Sequence, residues 1–141
     1  MRGFEYLEHI ADVYIRAYGN SLKEAFAEAA RGTTNVMTNV DQIVPKIERE
    51  FYVEAEDLEG LLYRWIEEII IIFDVEQIVF SDYEIKIEKK DNEWSLKAKA
   101  KGEEFDPSRH EIGTEVKAMT YGMIKIEVTD KETIVEFILD I

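Results

Sequence analysis

The sequence predicts an α+β fold: a single two-layer domain over residues 1–141, with two helices packed on a largely antiparallel β-sheet. Two observations lead to it. Most apolar stretches alternate with period two and are joined by short turn-forming segments, as hairpin strands are. Two other stretches carry apolar residues at helical spacing, each behind a capping residue. A length of 141 residues allows one domain with a sizeable core and is short for two.

"FEYLEH" and "VYIRAYG" read as two short strands, with Val13, Ile15 and Ala17 on one face. Gly19-Asn20 supplies a turn, and Ser21 with Glu24 forms the S-x-x-E capping box of the first helix. Its apolar stripe is Leu22, Ala25, Phe26, Ala29 and Ala30, and Gly32 is expected near its end. "KIEREFYVEAE" alternates again, turning Ile47, Phe51, Val53 and Ala55 inward. Asp57 is the expected N-cap of the longest helix, in which Leu58, Leu61, Leu62, Trp65, Ile66, Ile69, Ile70 and Phe73 follow the 3.6 period. The hairpin "YEIKIEKKDNEWSLKAKAKG" then turns near Asp91-Asn92. "EFDPSRHEIGTEVKAMTYG" has no clean period and reads as the longest irregular connection. The last hairpin sets Ile124, Ile126 and Val128 against Val135, Phe137 and Leu139 across Asp130-Lys131.

Composition narrows the function classes. With no cysteine, disulfides, thiolate metal sites and cysteine nucleophiles are excluded. The longest uncharged apolar run in the hydrophobic middle, Ile69 to Phe73, is too short to cross a bilayer, and the N-terminus lacks a signal-peptide pattern. A cytoplasmic protein without a membrane partner is expected. The net charge of −14 repels phosphate backbones, so strong direct binding of nucleic acid is not expected; cations and basic protein surfaces are the natural partners.

Three stretches carry polar residues that packing does not explain: "EHIAD" with His9 and Asp12, "DPSRHE" with Arg109 and His110 followed by Lys117, and the final "LDI". Each has a plain alternative. His9 could cap or pack, Asp12 could cap a turn, Asp106-Pro107 is a common turn opener, and Arg109 could be a surface ion-pair partner. Asp12, Asp140 and the Ile141 α-carboxylate are hard oxygen donors, ionised at neutral pH given reference pKa values of about 3.3–4. Such a set suits Ca²⁺ or Mg²⁺. Imidazole suits hard cations poorly, so His9 reads as a hydrogen-bonding support for the ligands. The G-x-S-x-G, Walker A, G-x-G-x-x-G and H-E-x-x-H patterns are absent. A stand-alone metal-dependent phosphoester hydrolase built on His9, Asp12, Asp106 and His110, and a general acidic chaperone, stay open as alternatives.

Taken together, "YLEHIADVYIRAYG", "FDPSRHEIGTEVKAMTYG" and "FILDI" resemble the signature blocks of the archease family. The combination is H-x-A-D near the N-terminus, D-P-x-R-H-E before K-A-x-T-Y, and a penultimate acid; the likeness extends through "SLKEAFAEAA" and "LLYRWIEEII". One departure is Gly122, which follows Tyr121 where the family commonly has histidine. The resemblance implies an accessory protein of tRNA splicing rather than an enzyme. Its implied partner is an RtcB-type RNA ligase, which joins cleaved tRNA halves using GTP and divalent metal. Archeases promote guanylylation and turnover of that ligase, and a chaperone-like action on a tRNA cytosine-5 methyltransferase is also associated with them. Carried over by position, the implied metal ligands are Asp12 and Asp140 with the Ile141 carboxylate beside them. Calcium is favoured by the all-oxygen set, with Mg²⁺ or Mn²⁺ as alternatives. His9, Arg109, His110 and Lys117 match other motif positions and are candidates for supporting the site or touching the partner.

Overall fold

The computed structural model describes residues 1–7 and 12–141. The elements run β1 (Gly3–Leu7), β2 (Val13–Gly19), α1 (Leu22–Met37), a 3₁₀ turn (Val40–Gln42), β3 (Ile47–Ala55), α2 (Leu58–Glu76), β4 (Ile78–Lys90), β5 (Glu93–Glu104), β6 (Ala118–Val128) and β7 (Thr133–Asp140). They form two antiparallel sheets, one in the order β1-β2-β7-β6 and one in the order β3-β5-β4. Helix α1 lies on β2 and β4, and α2 lies on β3 and β6, so each helix touches both sheets. Two helices packed on antiparallel sheets make this the expected α+β fold.

Local chemistry explains where the helices begin. Ser21 Oγ accepts from the Glu24 N–H, and the Glu24 carboxylate reaches back to the N–H of Asn20. The reciprocal half of the capping box therefore lands one residue earlier than its usual site. Asp57 Oδ1 accepts from the Gly60 N–H at 2.7 Å and opens α2. Helix α1 does not stop near Gly32, as its sequence suggested, but continues to Met37. A Cβ at Gly32 would lie 3.1 Å from Phe4 Cγ, so this glycine lets the Phe4 ring approach the helix.

The core draws on both helices and both sheets: Trp65, Phe26, Phe80, Phe137, Leu61 and Leu96 are all fully enclosed. Two strands are longer than their alternation suggests. Strand β4 begins at Ile78, ahead of a bulge between Phe80 and Asp82, and β6 takes in the "AMTYG" stretch read as loop. In β6 the register with β7 breaks between Thr120 and Lys125, and such irregularity disrupts the period-two pattern. At the β4 bulge a Cβ on Gly102 would sit 1.9 Å from the Val79 carbonyl oxygen. Gly102→Ala is therefore expected to cost about 1–3 kcal/mol in urea denaturation, by forcing the two strands apart. Among the described residues, no helix is long and apolar enough to cross a membrane.

Candidate functional site

Strand register carries several of the candidate residues to one end of the four-stranded sheet. In the β2–β7 ladder Val13 faces Leu139, so Asp12 directly precedes the residue paired beside Asp140. In the β6–β7 ladder Ala118 faces Asp140, and the N–H of Lys117 donates to the Asp140 carbonyl at 2.8 Å. Asp12, Lys117, Asp140 and Ile141 thus belong to three neighbouring strand ends. Buried Val135, Phe137 and Leu139 hold β7 against the core, which turns Asp140 to solvent, and the half-buried Ile141 side chain packs on the same core. His9 lies outside the described residues. Among the described residues, no three Asp, Glu or His side chains converge as a metal-binding group. Among the described residues, Asp12 and Asp140 bring side-chain carboxylates to this end.

Arg109 and His110 make their contacts elsewhere, around an acid that the sequence did not single out. Glu103 is 4% exposed at the end of β5. His110, itself enclosed, accepts the Asp106 N–H at Nδ1 (2.8 Å) and so carries its proton on Nε2, which donates to Glu103 Oε2 at 2.9 Å. The Arg109 guanidinium donates to Glu103 Oε1, the Val44 N–H donates to Oε2 at 2.6 Å, and Lys46 Nζ stands 3.8 Å from Oε1. Burial alone would push the Glu103 carboxyl up. The hydrogen bonds from Val44, His110 and Arg109, together with the guanidinium charge, outweigh burial and hold it at about 2.

The rest of "FDPSRHE" builds a frame around this acid. Ser108 donates to Asp106 Oδ1 from both its N–H and its hydroxyl, which holds the Asp106 carboxyl below its ordinary value. The Phe105 ring stacks on the His110 imidazole at 5.6 Å. Beyond His110 the chain is tied along the end of α1. Thr38 Oγ1 donates to the Glu111 carbonyl, Gly113 N–H donates to the Met37 carbonyl, and Thr114 N–H donates to the Val36 carbonyl. A Cβ at Gly113 would fall 2.3 Å from the Val36 oxygen, so this close approach requires glycine. Val116 is then buried, and Lys117 arrives at Asp140. The motif is a brace running from Glu103 to the candidate end of β7. A buried acid requires paired donors, so the arginine and histidine of "SRHE" were a signal that an anionic partner lay within the fold.

Comparisons with known proteins agree with one another. Residues 4–141 match the family described as the Archease protein family (MTH1598/TM1083). Protein archease of Pyrococcus abyssi is 50% identical over 127 residues, spanning 90% of this chain and 89% of that one. Protein archease of Thermococcus kodakarensis is 46% identical over 142 residues, spanning 100% of both. The solution structure of Methanobacterium thermoautotrophicum protein 1598 superposes with a TM-score of 0.86 at 38% identity, covering 99% of each chain. The crystal structure of a Thermotoga maritima protein, described as an archease and possible chaperone, superposes with a TM-score of 0.61 over 96% of this chain and 94% of that one. Its identity is 24%, and the likeness bears on the fold alone.

Proposed function

This chain belongs to the archease family, and on that premise we propose that it is an accessory protein of tRNA splicing. In this reading it binds a divalent cation and promotes guanylylation and turnover of an RtcB-type RNA ligase. The observation that carries the reading is the register placing Asp12 and Asp140 on neighbouring strand ends, with Ile141 beside them. The named residues suit a hard cation, because Asp12, Asp140 and the Ile141 terminus would each offer carboxylate oxygens. Asp12, Asp140 and the Ile141 carboxylate would hold the ion, with Ca²⁺ favoured and Mg²⁺ or Mn²⁺ as alternatives. When bound, the ion would supply positive charge to nucleotide phosphates at the partner's active site. The chain's own part is positional: β7 is paired on both sides, so its end is held still, and the brace from Glu103 fixes Lys117 against it. A surface of net charge −14 favours approach to the basic or metal-bearing face of a protein over direct binding to RNA.

The test is guanylylation of the ligase by GTP with wild-type chain, Asp12→Ala, Asp140→Ala and a chain extended beyond Ile141. Each change is expected to reduce both calcium binding and stimulation while leaving the circular dichroism spectrum unchanged. Stimulation that survives Asp12→Ala and Asp140→Ala together would remove the cation from the account. A second reading is a chaperone acting on a tRNA cytosine-5 methyltransferase; the exposed Ile71 and Val75 on α2 favour it. That activity would suppress client aggregation and would be indifferent to both Asp replacements.

A further inference from the structure

One face of α2 runs outward from the half-buried Tyr63, which packs on the core, to two apolar side chains that lie outside it, Ile71 and Val75. Tyr63, Glu67, Ile71 and Val75 form an i, i+4 row turned away from the buried Leu61, Trp65 and Ile69. Ile71 is 50% exposed and Val75 75%. A single exposed apolar residue is ordinary, whereas a row along one helix face marks a surface that something covers. Beside the row, the β6 irregularity turns Tyr121 outward, 53% exposed, and its ring meets Tyr63 edge to face at 5.1 Å. Between α2, the end of β3 and Tyr121 lies a groove of about 740 Å³ with Val53 and Ala55 among its lining residues.

The rim decides what can enter. Glu54, Glu67, Glu68 and Glu93 line the groove, and Arg64 is the one basic residue among its lining side chains. The Glu54 carboxylate pushes the Glu93 carboxyl above its ordinary value, a like-charge contact that a cation from outside would relieve. A second copy of this chain would bring another −14 of charge, and RNA or an anionic bilayer would be repelled in the same way. A neutral apolar segment would desolvate the acids without compensation.

We propose that this groove docks a basic segment of a partner protein, whose Lys or Arg side chains meet Glu54, Glu67, Glu68 and Glu93 while an apolar side chain covers Tyr63, Ile71 and Tyr121. The surface requires no metal, so it stands or falls separately from the cation site. The test is a nuclear magnetic resonance titration of the ¹⁵N-labelled chain with a short peptide of alternating Lys and Leu, and with a Lys-Ser peptide of equal charge. The Lys-Leu peptide is expected to give saturable shifts confined to the surroundings of Tyr63, Ile71 and Tyr121. Ile71→Ser, which removes apolar area at an exposed helical position without changing the charge, should weaken it about tenfold, as should replacing the peptide's Leu with Ser. Equal affinity for the two peptides, shifts spread over the whole acidic surface, or an unchanged affinity in Ile71→Ser would overturn the proposal. Shifts at Tyr63 and Ile71 that depend on protein concentration alone would overturn it in favour of a second copy.

Discussion

Glu103→Ala is expected to destabilise the folded chain by about 3–5 kcal/mol, the range for removing one partner from a buried ion pair. The loss exceeds that of a surface salt bridge because Glu103 is enclosed and serves several donors at once. Its removal leaves the Val44 N–H, the His110 Nε2–H and the Arg109 guanidinium without their acceptor. The effect should also depend on pH in a defined direction. The carboxyl is held at about 2 in the folded chain, against 4.5 for an ordinary glutamate. A depressed carboxylate contributes stability that is fully present above the unfolded value and is lost as pH falls through the folded one. Urea denaturation should therefore show a constant gap between wild type and Glu103→Ala above about pH 5, shrinking between pH 4.5 and 2. A gap that persists unchanged at pH 2 would mean that Glu103 acts through packing rather than charge.

Trp65→Ala should cost a comparable amount, about 3–5 kcal/mol, through the loss of a large enclosed ring. Trp65 sits where α2 meets α1 and the three-stranded sheet. Its Nε1–H donates to the Phe26 carbonyl at 3.0 Å, and its ring packs edge to face on Phe51 and Tyr83. Trp65→Phe separates these contributions: it retains much of the packing and loses the hydrogen bond, worth about 1 kcal/mol. Guanidinium denaturation followed by far-ultraviolet dichroism measures both variants. If Trp65→Phe proves as damaging as Trp65→Ala, shape at that position outweighs apolar area.

What was legible in the sequence was local. Ser21 and Asp57 announce their helices because a cap acts within three residues, and the hairpin turning near Asp91-Asn92 pairs neighbours in the chain. The start of β6 escaped because its bulge breaks the alternation that reveals a strand. Gly32 misled because a glycine that admits a neighbouring ring looks like one that ends a helix. At the candidate site, the acids of "HIAD" and "LDI" stood out as residue types. Their proximity depends on β2 pairing with β7, a contact between chain ends that no short window contains. Glu103 escaped for a different reason: Arg109 and His110 lie within seven residues of it, but its burial depends on the fold, which also brings the Val44 N–H to it from 59 residues away.

The position of β7 between β2 and β6 also bears on the order of folding. The β4–β5 hairpin closes a short loop, whereas the Tyr14 hydroxyl and the Glu136 carboxylate it bonds are 122 residues apart. Contacts of such separation carry the largest closure entropy and form late. Pulse-labelling hydrogen exchange during refolding should protect β4 and β5 before β2 and β7. Asp12 and Asp140 would then become neighbours only in the last step, so that a cation held between them would report completed folding rather than guide it.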